Sequence, residues 1–360
     1  MGTREAYLRL LASHDLEEKS ILPVLRPELM QLDRDKLARL TPREVHQAIT
    51  LLAEASGKNT NDVLAILADD LRTGFRKAGV TPPDGVYHGV FPTGLFNARV
   101  TPDGGDGLLI LVESGAFELI EYVATLVTGP WSKDETVDRI CRACSTYHAS
   151  VDNVSPWLPD AQRELEMVCK PTFEQYRMAV GLTNAAEFFL LAHEWAHVIL
   201  GHMADPALRI VATPTGGLEV YERSRVQEHA ADLLALRTIV RAATGSALGL
   251  ATAGAHVFLG VALLLETLDE QNGRVADTHP PASDRIYMTN YLLGLEDLER
   301  DADLAWKIED LFDDCHAAAF GSRPARPLFD RALNRRMRKA LDSFPPELGV
   351  DSPWTGLLDL

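Results

Sequence analysis

His193-Glu194-Trp195-Ala196-His197 places two imidazoles four residues apart with a carboxylate beside the first. In an α-helix each residue turns about 100°. His193 and His197 then share one face, a single turn apart, at the spacing where two imidazoles can grip one Zn²⁺. Glu194 sits next to the first of them. There it can reach a metal-bound water without being a ligand itself, which suits a general base. The bland alternative is a surface helix with two solvated histidines. Its flanks oppose that, because Phe188, Phe189, Leu191, Ala192, Val198, Ile199 and Leu200 mark a buried helix, and buried polar groups need partners.

A hydrolytic zinc ion takes three protein ligands and keeps one position for water. The best third ligand downstream lies in Gln227-Glu228-His229-Ala230-Ala231-Asp232. Glu228 and Asp232, four apart, face the same way among Ala230, Ala231, Leu233, Leu234 and Leu236, where two carboxylates need a cation or donors. Glu228 is expected to bind the metal. Asp232 is expected to accept the outer N–H of His193 or His197 and so fix its tautomer. Glu219 and Glu222 are rivals for the third position, but neither has an acidic residue four positions on. His202 follows His197 by five residues, with Leu200 at the third. Metzincins use six residues and Gly, so His202 reads as a structural or supporting residue. Cys141-x-x-Cys144, with His148 and Cys169, is a weaker candidate for a second, structural zinc site. Helical context from Glu135 to Val151 favours buried thiols instead.

These residues require elements to hold them. The region 1–80 reads as helical, with Thr41-Pro42-Arg43-Glu44 as a helix start and no catalytic cluster. Phe96 to Thr101, the turn Pro102 to Gly107, and Leu108 to Val112 read as a β-hairpin, followed by a helical run from Ala116 to Leu126. Residues 127–182 form a mixed, partly helical insertion. After the zinc helix come a Pro/Gly-marked loop at Pro206–Gly217, a helix through Glu228 to about Ala243, an apolar helix, the His279 loop and a helical C-terminal region. The expected architecture is α+β, a mostly helical zincin-like fold with a small sheet and an active-site helix. Its expected divisions are 1–80, a catalytic domain over 81–345, and a tail over 346–360.

The 360 residues carry a formal charge of −17, with 46% hydrophobic and 24% charged residues. These are globular values, and the acidic balance repels phosphate backbones and anionic headgroups, so nucleic acid is not an expected partner. Ala242 to Leu265 carries no formal charge and only His256 is ionisable, a length that can span a bilayer. A single span there would put Glu228 and His279 on opposite sides, so the segment reads as a buried core helix with no stable membrane insertion. No secretory segment and no disulfide framework are visible, and a cytoplasmic setting is expected.

Ala192 to Val198 with His202, Glu228-x-x-Ala231-Asp232, and Thr278-His279-Pro280-Pro281-Ala282-Ser283-Asp284-Arg285-Ile286 resemble the HtpX-type gluzincin zinc peptidases, a group that also contains the type I CAAX prenyl proteases. The hairpin Asn97 to Gly115 is similar to that family's substrate-side edge strand, although Arg99 stands where an aromatic residue is usual. The resemblance implies ligands His193, His197 and Glu228, Glu194 as base, and Asp232 orienting a ligand. It implies one catalytic Zn²⁺ and a peptide or protein substrate that pairs with the sheet edge. Two roles are open to His279: donor to the oxyanion of a tetrahedral intermediate, or a cap on the open zinc position. A loop-stiffening His before two prolines is the plain alternative. Arg285 is expected to pair with a carboxylate near the site. Rival functions are an ImmA/IrrE-type regulatory protease cleaving a repressor, a metalloenzyme that modifies peptides without cutting them, and a metal-bound interaction module.

Overall fold

A computed structural model describes residues 2–17, 60–153, 172–203, 208–213, 216–221, 224–243, 246–273, 280–295 and 302–324. The expected helix start at Thr41, the segment around Pro156 and Pro159, Cys169, Glu222, His279 and the C-terminal tail lie outside the described residues. The chain passes through two compact units. One comprises Met1–Ala68, Gly85–Asn184 and Ala212–Leu218; the other comprises Asp69–Asp84, Ala185–Val211 and Glu219–Leu360.

The first unit is built on a three-stranded sheet of β1 (Val86–Phe91), β2 (Ala98–Pro102) and β3 (Leu108–Glu113), in the order β1-β3-β2. The hairpin expected from sequence is present, with Ala98 opposite Val112 and Pro102 opposite Leu108. Its turn is tied by Asp103, whose Oδ1 accepts the N–H groups of Gly105 (2.8 Å) and Gly107 (3.1 Å). Gly104 takes the left-handed conformation at φ 82°, which favours glycine there. β1 adds a parallel pairing on the other side of β3, with Val86 opposite Leu108 and Phe91 opposite Glu113. Central position explains why β3 reads as an unbroken apolar run rather than an alternation. Helix α1 (Thr3–Ser13) packs on β1 and β3. Tyr7 donates its hydroxyl to Val90 O at 2.8 Å, and its ring lies where a Cβ on Gly89 would stand. Helix α2 (Thr60–Lys77) begins in this unit, and β3 leads directly into α3 (Ser114–Thr128), against which α4 (Lys133–Asn153) packs.

The second unit is helical. The last fifteen residues of α5 (Phe173–Ile199) belong to it, followed by α6 (Arg225–Ala242), α7 (Ser246–Gln271), α8 (Ala282–Leu295) and α9 (Asp303–Phe320). α7 contacts α6, α8 and α9. Over its most apolar stretch it is long and apolar enough to cross a membrane, and 83% of that stretch is buried within the protein. Two glycines permit this packing: a Cβ at Gly254 would strike the backbone of Ala185 and Ala186, and one at Gly260 would strike the Phe312 ring. Trp195, fully buried, turns from the histidine face into a contact with Phe75, 6.2 Å between ring centroids, beneath the Arg72 guanidinium. Among the described residues, the loop expected at Pro206–Gly217 is instead mostly strand. β4 (Leu208–Thr213) pairs with β5 (Gly216–Tyr221). Leu208 to Thr213 and Gly216 to Tyr221 are short runs rich in β-branched and aromatic residues, a strand signal that the Pro and Gly markers of the loop reading outweighed.

Candidate metal centre

The long helix α5 delivers His193 and His197 from one face, one turn apart. α6 delivers Glu228 and Asp232 in the same way. That helix starts with a capping box: Ser224 Oγ accepts the Gln227 N–H, and Gln227 Oε1 accepts the Ser224 N–H at 2.7 Å. α8 delivers Arg285, three residues into the helix. Its first turn is held by Glu266 of α7, whose Oε2 accepts the Ala282 N–H at 2.8 Å. His193, Glu194, His197, His202, Glu228, Asp232 and Arg285 are all at most 6% exposed.

Three of these residues converge. His193 Nε2 and His197 Nε2 are 3.1 Å apart, Glu228 Oε2 is 3.2 Å from His193 Nε2, and Glu228 Oε1 is 3.4 Å from His197 Nε2. Metal–N and metal–O bonds of about 2.0–2.2 Å in a tetrahedron imply ligand separations of about 3.3–3.6 Å. The observed edges are close to that. Among the described residues this is the group whose ligand atoms lie at metal-binding spacing. Glu219 lies on β5. Cys141, Cys144 and His148 lie along α4 and do not belong to the group. Cys144 is buried, and burial followed by the neighbouring Cys141 pushes its thiol well above the usual range.

Charges behind the triangle prepare it for a cation. Asp232 Oδ1 accepts from His193 Nδ1 and from Arg285 Nη2, and Oδ2 accepts from Arg285 Nε, all at 2.8 Å. Burial alone would raise the Asp232 pKa, but Arg285 and His193 outweigh it and hold the carboxyl well below the ordinary carboxylate range. Asp232 is thus a fixed anion that accepts the His193 Nδ1 proton, which leaves Nε2 as the nitrogen facing His197 and Glu228. Burial alone would likewise favour neutral His193. Asp232 and Glu228 prevail and raise its pKa to about 9, so the pocket favours positive charge at this point. The donor set of two imidazoles and one carboxylate fits a divalent ion such as zinc.

Two contacts were only partly legible. Arg285 does pair with a carboxylate near the site, and that carboxylate is Asp232. His202 Nδ1 stands 2.8 Å from His197 Nδ1. The capping box and the Glu266 contact were missed, although Ser224-x-x-Gln227 was visible as a helix-start signal.

A family model described as Peptidase U49 matches residues 128–308, about half of the chain. The chain belongs to the peptidase U49 family. All the residues of the triangle, together with Glu194, His202, Asp232 and Arg285, fall within the U49 match, whereas the three-stranded sheet precedes it. The expected peptidase class, and with it a peptide or protein substrate, is therefore borne out; the match does not extend to the HtpX-type assignment. No curated protein and no solved structure matches the chain.

Proposed function

We propose that this U49 peptidase is a zinc-dependent endopeptidase, with His193, His197 and Glu228 holding one Zn²⁺ and Glu194 acting as general base. The observation that carries the reading is the triangle of two Nε2 atoms and one carboxylate at 3.1–3.4 Å, backed by Asp232 on the outer nitrogen of His193. Bound zinc would polarise the scissile carbonyl and acidify the attacking water. Glu194, next to His193 on α5 and buried, takes the proton from that water and passes it to the leaving amine. Asp232 holds His193 in the tautomer that leaves Nε2 free to bind, and Arg285 keeps Asp232 ionised. The likeness of Glu228-x-x-Ala231-Asp232 and Thr278 to Ile286 to HtpX-type gluzincins supports this assignment of roles.

Glu194→Gln tests it. The change is nearly isosteric and leaves all three ligands untouched, so zinc content should stay at one ion per chain. Cleavage of a peptide library should fall by roughly 10²–10⁴-fold, because an amide cannot accept the proton. Undiminished cleavage by this variant, or cleavage by zinc-free protein, would remove Glu194 or the metal from the mechanism.

A further inference from the structure

The two histidines of the triangle are supported differently. His193 gives its outer nitrogen to a carboxylate, Asp232, while at that position His197 meets a second imidazole, His202. His202 reaches it because α5 stops there. Gly201 adopts φ 69°, a left-handed conformation that favours glycine, and the His202 N–H returns to His197 O at 3.0 Å. A Cβ on Gly201 would meet nothing within 4 Å, so the glycine serves backbone conformation rather than space. That turn brings the two rings to an edge-on contact with 5.0 Å between centroids and Nδ1 atoms 2.8 Å apart.

A hydrogen bond at that distance needs one nitrogen to carry the proton, and which one does decides what His197 can do. If His202 donated it, His197 would carry its own proton on Nε2 and could not bind a metal there. If His197 donates, its Nε2 lone pair is free, and His202 must be the neutral Nε2–H tautomer with Nδ1 as acceptor. We infer that His202 is the positioning residue for ligand His197: its Nδ1 accepts the His197 Nδ1 proton and so performs, without charge, the task that Asp232 performs for His193. The inference rests on the metal reading above. It assigns the site one anionic and one neutral outer acceptor.

Two substitutions separate an acceptor from a packing ring. His202→Phe keeps the ring and removes the acceptor. His202→Asn removes the ring but places Oδ1 where Nδ1 stands. Zn²⁺ affinity, measured by competition with a chromophoric chelator on the full chain, should fall about 10–100-fold in His202→Phe and recover to within a few-fold of native in His202→Asn. Native affinity in His202→Phe, or a loss in His202→Asn as large as in His202→Phe, would overturn the inference. Long-range ¹H–¹⁵N spectra of the zinc-loaded native chain need no variant to fold. His202 should appear there as the Nε2–H tautomer, and a proton on its Nδ1 would equally overturn the role. Failure of the metal reading looks different: His193→Ala would then bind Zn²⁺ as tightly as native protein.

Discussion

Among the described residues, each unit holds a buried arginine–carboxylate pair, Arg99 with Glu113 and Arg285 with Asp232, and these two pairs behave in opposite ways. In the sheet unit, Arg99 on β2 faces Glu113 at the end of β3 through Nη2 and Oε1. Arg99 Nε and Nη1 find no hydrogen-bond partner among the described residues. Burial raises Glu113 to a pKa of about 7, against the pull of Arg99. In the helical unit, Asp232 takes both prongs of the Arg285 guanidinium and the His193 Nδ1 proton, and stays well below the usual range. The ingredients are the same and desolvation acts on both. The number of well-formed donors on the carboxylate decides whether burial neutralises it or fixes its charge. The fixed anion holds the His193 Nδ1 proton and the Arg285 guanidinium together; the sheet unit makes no such demand on Glu113.

The largest expected effect breaks the well-formed pair. Arg285→Met leaves Asp232 buried without its main counter-charge, so we expect a loss of about 3–5 kcal/mol in unfolding free energy by urea titration. The double change Arg99→Met/Glu113→Leu removes both charges of the other pair and should be neutral or stabilising by about 1–4 kcal/mol. Equal losses in the two experiments would show that hydrogen-bond count does not distinguish the pairs.

A pH series sharpens the same contrast with a smaller effect. The folded-state pKa of Glu113 lies above its unfolded value of 4.5, at about 7. Its contribution to stability is therefore fully present below about pH 4.5 and is lost as pH rises through 7. Asp232 is depressed, so its contribution is present above its unfolded value of 3.8 and is lost as pH falls. Between pH 5 and 7 the first pair should weaken while the second stays constant. Each proton released on unfolding changes stability by about 1.4 kcal/mol per pH unit. Glu118 and Glu266, also raised to about 7 by burial first, steepen the decline. Glu113→Gln should flatten the slope between pH 5 and 7 without touching the acid limb. An unchanged slope would assign the decline to Glu118 and Glu266 alone.

The same contrast explains what was legible beforehand. Pairs four apart on one helix, His193 with His197 and Glu228 with Asp232, are readable because helical geometry turns sequence distance into spatial distance. Arg285, 53 residues beyond Asp232, was foreseeable only as a chemical need: a buried carboxylate requires donors, whatever supplies them. The β2–β3 hairpin was readable through its Asp103–Gly107 turn. β1 was not, since a parallel neighbour comes with no connecting turn and Val86 to Phe91 contains His88 and Gly89. Arg99 and Glu113 meet diagonally across β2 and β3, a pairing that hairpin register implies but that composition alone does not announce.

The smallest expected effect concerns the edge of the site rather than its buried charges. Ser224 caps α6 one turn before Glu228, and the Glu228 N–H returns to Ser224 O at 3.1 Å. Ser224→Ala removes an exposed hydroxyl that accepts the Gln227 N–H, at a cost of about 0.5–2 kcal/mol. The first turn of α6 should fray, visible as faster amide exchange at residues 225–228. Glu228 itself is buried, and Asp232 one turn on remains tied by Arg285 and His193, so the rest of the helix stays anchored. Zn²⁺ affinity should therefore change by no more than a few-fold. A loss as large as that expected for His202→Phe would mean that the helix start, and not the buried donors behind Asp232, fixes the third ligand.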